Sequence, residues 1–271
     1  KKFDTEYSSP YKYAMKAYDG MGNTDKAIDN AIMLVEKDID EISEPLVKIL
    51  LKHKSYSVAK VKEAHNKDSE GKWRMVLIAI YAEGHEYENV IRECNALEKE
   101  YGRDESLYFQ KAMCYDELGM VETAISEINK AIELKGDYTN YALLGSICRT
   151  AGRYEDAIMA LDKAIEQQPT DAWGYYAKGW CYELSGDDEN ALKLYEEGID
   201  IDGQYPYIFL MRGQQYLKRG DTAKANEDFE TVLKIDTLAT DNSCRQYALH
   251  FLGRDKEAQE WMEKIITEDP N

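Results

Sequence analysis

Long apolar runs are missing from this sequence. The longest clean one, Met75 to Ala82, is far too short for a membrane span, which needs about 18 apolar residues or more. Basic residues are in the minority: 34 Lys and Arg face 52 Asp and Glu, a net charge of −18 over 271 residues, with an isoelectric point near 4.7. Such a chain repels phosphate backbones and anionic surfaces, which argues against nucleic acid as a partner. Histidine is scarce, and none of His53, His65, His85 and His250 has a second His or Cys three or four residues away, so no metal is expected. The five cysteines (Cys94, Cys114, Cys148, Cys181, Cys244) are odd in number and lack any Cys-x-x-Cys pair. They read as buried free thiols, not as a disulfide framework. Nucleophile elbows, phosphate loops and His-Glu-x-x-His are absent, so no catalytic residue and no cofactor is assigned.

What is present is a repeat. Gly-x-x-x-x-Ala recurs at Gly119, Gly152, Gly186, Gly220 and Gly253, and weaker copies start at Gly22, Lys54 and His85. Eight copies about 34 residues apart indicate a repeat architecture. Each copy reads as two helices around a short break. Before the break lie Tyr108, Ala112 and Tyr115; Tyr141, Gly145 and Cys148; Tyr175, Gly179 and Tyr182; or Phe209, Gly213 and Tyr216. After it come the small Ala and, four residues on, Ile128, Leu161, Tyr195, Phe229 or Met262. Glycine inside a helix costs about 1 kcal/mol relative to alanine. Gly145, Gly179 and Gly213 therefore point to close packing, expected against Ala157, Ala191 and Ala225.

This pattern resembles the tetratricopeptide repeat. The resemblance implies an all-α, right-handed superhelical solenoid of about eight antiparallel helix hairpins, with first helices lining a concave groove. It divides the chain into degenerate repeats over 1–104 (about three hairpins) and five well-defined repeats over 105–271, in one continuous solenoid. In the first part Met15, Val47 and Ile78 stand where a small residue is expected, so packing there should be looser or shifted. Pro45 fits a first helical turn capped by Ser43. An insertion is expected in the turn Gly84-His85-Glu86.

The expected role is a non-enzymatic protein- or peptide-binding scaffold. The alternative is a regulatory or assembly region of a larger enzyme or envelope complex, with catalysis outside this chain. Groove positions select Trp173, Tyr176, Trp180 and Glu183 in the sixth unit, Tyr207, Leu210 and Gln214 in the seventh, and Tyr247 in the eighth. They select Phe109 and Met113 in the fourth, and Ser146 and Arg149 in the fifth. A basic clamp of the kind that grips chaperone tails is matched only by Lys12 and Lys16; Pro45 and Val76 occupy positions that need polar side chains. Residues 136–271 carry 14 basic and 26 acidic side chains, a net −12, so a basic or aromatic-apolar ligand is expected. Self-association stays open. Free thiols lean towards a reducing compartment. The chain opens Lys1-Lys2-Phe3 without a starting Met, so a longer native chain, and an exported form, are also expectations.

Overall fold

The computed structural model describes residues 5–37, 40, 42–67, 71–235 and 242–268. Among them there are sixteen α-helices and no strand. The chain falls into two compact units, Lys1–Lys135 and Gly136–Asn271. The first holds α1 (Thr5–Gly20), α2 (Thr24–Lys37), α3 (Glu44–Lys52), α4 (Lys54–Lys67), α5 (Lys72–Glu83), α6 (Tyr87–Tyr101), α7 (Glu105–Glu117) and α8 (Val121–Leu134). The second holds α9 (Tyr138–Thr150), α10 (Tyr154–Gln167), α11 (Ala172–Leu184), α12 (Asp188–Ile201), α13 (Pro206–Lys218), α14 (Thr222–Lys234), α15 (Asn242–Phe251) and α16 (Asp255–Glu268). Sixteen helices make eight hairpins, the all-α solenoid class that the repeat implies.

The turn chemistry is that of the sequence. Gly22, Gly119, Gly152, Gly186, Gly220 and Gly253 all take φ between 70° and 89°, a left-handed conformation that strains any residue with a Cβ. Aspartates at the starts of helices accept backbone N–H groups: Asp104 from Ser106, Asp137 from Asn140, Asp171 from Trp173, Asp187 from Asn190 and Asp221 from Lys224. Each satisfies a donor that the first helical turn leaves orphaned.

The third hairpin contains no insertion. His85 takes φ 54°, the left-handed place of the turn glycine, between α5 and α6. Left-handed backbone costs a side-chain-bearing residue about 1–2 kcal/mol. His85→Gly should therefore raise stability by up to about 1 kcal/mol, offset in part by the lost contact between His85 Nδ1 and the Tyr87 hydroxyl at 3.0 Å. A lowered midpoint in urea would contradict this. The second hairpin differs again. Lys54 opens α4, and His53 alone breaks the chain, at φ −122°. Ser43 stands extended at the N-cap of α3, yet its hydroxyl makes no capping bond.

Packing inside the hairpins corrects one expectation. A Cβ on Gly145, Gly179 or Gly213 would lie 2.7, 2.5 or 2.6 Å from Leu161, Tyr195 or Phe229. The close neighbour is thus the large residue four beyond the alanine. That neighbour lies 16 residues after the glycine in each case. The same offset separates Ala112 from Ile128, Ile78 from Cys94 and Met15 from Ala31, and all six of these side chains are buried. In the early hairpins the large residue sits on the first helix and the small one on the second. The first hairpin packs as extensively as the later ones despite Met15, whereas α3 against α4 and α5 against α6 pack less extensively, the looser packing expected there. Val47 is buried as well.

Candidate functional site

Three first helices of the second unit build one aromatic hollow. Asp171 fixes the start of α11 by accepting from the backbone N–H of Trp173. From there Trp173, Tyr176, Ala177 and Trp180 follow the three-to-four spacing of one helical face. α9 adds Ser146 and Arg149. Pro206 opens α13, and its fixed φ suits a first helical position; Tyr205 and Tyr207 stand on either side of it. These eight residues line a hollow of about 320 Å³.

The rings are held by one another. Tyr176 lies 5.8 Å from Trp180, 5.7 Å from Tyr205 and 5.8 Å from Tyr207, centroid to centroid. Tyr205 and Tyr207 are 5.8 Å apart, and Tyr138 meets Trp173 edge-on at 6.2 Å. These separations are those of favourable tilted and edge-on pairs. The Arg149 guanidinium lies 4.0 Å from the centre of the Trp180 ring, well within cation–π range. Burial pushes the Tyr176 phenol up to about 12, against the opposing pull of Arg149. Burial drives Tyr205 higher still, with further help from Tyr176. Both are neutral donors at physiological pH.

Six of the residues selected from sequence therefore meet here: Ser146, Arg149, Trp173, Tyr176, Trp180 and Tyr207. Six do not. Leu210 is buried in the core beside Ile208, Phe209 and Cys244, so it presents no surface. Glu183 is a fastening residue: Lys218 Nζ donates to it at 2.7 Å and the Tyr195 hydroxyl at 3.1 Å, tying α11 to α12 and α13. Gln214 is half-buried, its amide 3.9 Å from the Met211 sulfur. Tyr247 is exposed and lines a separate hollow of about 430 Å³ with Gln246, His250 and Met262. There Gln246 holds the place of the small residue 16 before Met262. Phe109, half-buried, and Met113, exposed, belong to the first unit.

Tyr205 and Tyr138 are the residues that sequence reasoning missed. Counting positions from the helix-internal glycine never reaches a linker or the first residue of a helix. The signal was the Tyr205-Pro206-Tyr207 triplet, which brackets a helix start with two rings.

Chemistry elsewhere is sparse. Among the described residues no group of His, Cys, Asp and Glu is placed to hold a metal ion, and no helix is long and apolar enough to cross a membrane. All five cysteines are free and buried. Burial raises Cys94 to about 12 and Cys114 and Cys181 to about 11, so these thiols stay protonated and unreactive at neutral pH.

Hairpins of this turn chemistry and internal packing define the helical-repeat class of proteins. Two family models, each described as tetratricopeptide repeat, match residues 105–138 and 137–204. Residues 105–204 of this chain are thus tetratricopeptide repeats, a fold that serves as a scaffold for protein–protein interaction. The chain is 26% identical over 154 residues to human (Homo sapiens) tetratricopeptide repeat protein 13, covering 55% of this chain and 18% of that one. It is 28% identical over 101 residues to DnaJ homolog subfamily C member 3 of Rattus norvegicus, covering 37% and 20%. The chain thus matches about a fifth of the length of these relatives. In three dimensions it resembles a tetratricopeptide repeat protein from Parabacteroides merdae, with a TM-score of 0.58 at 13% identity over 91% of this chain and 99% of that one. It also resembles YrrB, described as a TPR protein with an unusual peptide-binding site, with a TM-score of 0.51 at 17% identity over 70% and 96%.

Proposed function

We propose that the chain is a non-enzymatic scaffold that takes up a segment of a partner protein in the aromatic hollow of α9, α11 and α13. The observation that carries this reading is the convergence of Trp173, Tyr176, Trp180, Tyr205 and Tyr207 on one concavity, each ring only partly buried. Aromatic side chains with one face left open are the usual anchors of binding surfaces. The peptide-binding site named for YrrB supports the reading by analogy of fold alone. Of the two ligand chemistries expected from charge, the lining favours the aromatic-apolar one. It contains a guanidinium and no carboxylate, and so offers a basic ligand no ion pair.

The test is selection of a random dodecapeptide library displayed on phage against the full chain. A Trp173→Ala/Trp180→Ala/Tyr207→Ala variant, verified as folded by circular dichroism, serves as the comparison. Each anchor is worth about 2 kcal/mol on truncation, so enrichment of aromatic peptides by the wild type should be lost from the variant. Equal enrichment by both would move the site elsewhere on the chain. Failure to enrich any peptide would favour a regulatory or assembly arm of a larger enzyme.

A further inference from the structure

The polar inventory of the hollow is one-sided. Its lining holds Arg149, Ser146, three tyrosines and two tryptophans, and no carboxylate. A guanidinium and an indole N–H can only donate hydrogen bonds, and the Tyr176 and Tyr205 phenols stay protonated. The concavity therefore offers many donors and lacks a strong acceptor, in a unit where acidic side chains outnumber basic ones 26 to 14.

Arg149, like Arg245, departs from the other partly buried cations of this unit, which are paired with carboxylates. Lys178 pairs with Asp162, and Arg212 forks onto Asp228 at 2.7 and 2.9 Å. Arg149 faces rings instead, and among the described residues no carboxylate lies within ion-pair distance of it. Contact with the face of Trp180 holds the guanidinium at the hollow. A guanidinium is suited to a planar, bidentate oxyanion.

We propose that the segment received by the hollow carries an aspartate or glutamate beside an aromatic or long aliphatic residue. Its carboxylate binds Arg149, and its apolar side chain enters among Trp173, Tyr176, Tyr205 and Tyr207. This rests on the docking reading above and names the chemistry of its ligand. α9, α11 and α13 are successive neighbours, so an extended segment can lie across all three, with the acid as one of its side chains. The net −12 of the unit repels an acidic tract, so a single acid is recognised.

Three capped heptapeptides with Phe-Glu, Phe-Gln or Phe-Lys at their centres test this. They are titrated into the full chain at 0.15 M salt while NMR follows the indole N–H signals of Trp173 and Trp180. The Phe-Glu peptide should bind about tenfold more tightly than Phe-Gln, as expected for one charge-assisted hydrogen-bonded pair. That ratio should fall to about one in Arg149→Met, which keeps an unbranched stem over Trp180. Arg149→Lys, which keeps the charge and loses the fork, should retain part of it. Equal affinity for Phe-Glu and Phe-Gln overturns the proposal and leaves the docking reading intact. So does tighter binding of Phe-Lys, or a preference that survives Arg149→Met. A Phe-Gln peptide with a free carboxyl terminus that outbinds Phe-Glu overturns the assignment to a side chain. Indole signals unmoved by every peptide overturn both readings.

Discussion

Gly179→Ala should destabilise the second unit by about 2 kcal/mol, and adding Tyr195→Ile should return most of that loss. In an open helix the first change would gain about 1 kcal/mol from helix propensity. Here the new Cβ would sit 2.5 Å from a ring carbon of Tyr195, with two further ring carbons at 2.9 and 3.2 Å. The ring cannot retreat, because it is fully buried and its hydroxyl donates to Glu183. Tyr195→Ile alone should cost about 2–3 kcal/mol for the space it empties. Together the two changes recreate the Ala112 and Ile128 pair of α7 and α8, a combination this protein already packs with both side chains buried. Glu183 keeps Lys218 as partner in the double variant. Urea unfolding of the four proteins gives the coupling, which should be about 2 kcal/mol or more. Additive losses would refute the 16-residue pairing. Gly179→Leu, with a longer side chain and no compensation, should cost about 3 kcal/mol or more.

Lys111→Met should cost the first unit about 3–5 kcal/mol at neutral pH, the range for removing one partner of a buried ion pair. Lys111 is only 3% exposed. Its ammonium lies 2.7 Å from Glu98 of α6 and 2.9 Å from Glu127 of α8, above the Tyr108 ring at 4.5 Å. The residue pins three helices. Methionine fills the space and leaves the carboxylates in place. Burial alone would push Glu98 up, but hydrogen bonds from Lys111 and Tyr108 hold it below its ordinary value. A depressed carboxylate contributes stability above its unfolded pKa, about 4.3, and loses it as the pH falls through the folded value. In the variant Glu98 loses that support and protonates more readily. The gap between wild type and variant should thus be widest between pH 6 and 8 and close below about pH 4. Urea midpoints at pH 7 and pH 3.5 check this, and a gap unchanged between them would rule out the ion pair as its source.

The hairpin architecture was legible because it is written in local signals. The turn glycines require a backbone few other residues tolerate, and the apolar spacing is that of a helix. Spacing also foretold that Trp173, Tyr176 and Trp180 share a face. The unread parts depend on contacts between elements. Leu210 occupies the position equivalent to Tyr176, and only the core around Cys244 shows that it is covered. Glu93, Glu127 and Asp228 are buried and paired with Arg74, Lys111 and Arg212. No spacing rule pairs charges on different helices. The insertion expected at Gly84-His85-Glu86 is absent because His85, the start of a weak repeat copy, itself takes the left-handed conformation of the turn glycine.

The partners 16 residues apart bear on how such a chain can lengthen or be recombined. A crossover inside a turn would join the first helix of one hairpin to the second helix of another. Met15 could then meet Tyr195, or Gly179 could meet Ala31, giving a collision or a void. A crossover in the links between hairpins, at Gly136 or near Pro169, carries both partners together. The hairpin is thus the piece that can be duplicated, transplanted or grafted without repair, and a lone helix is not.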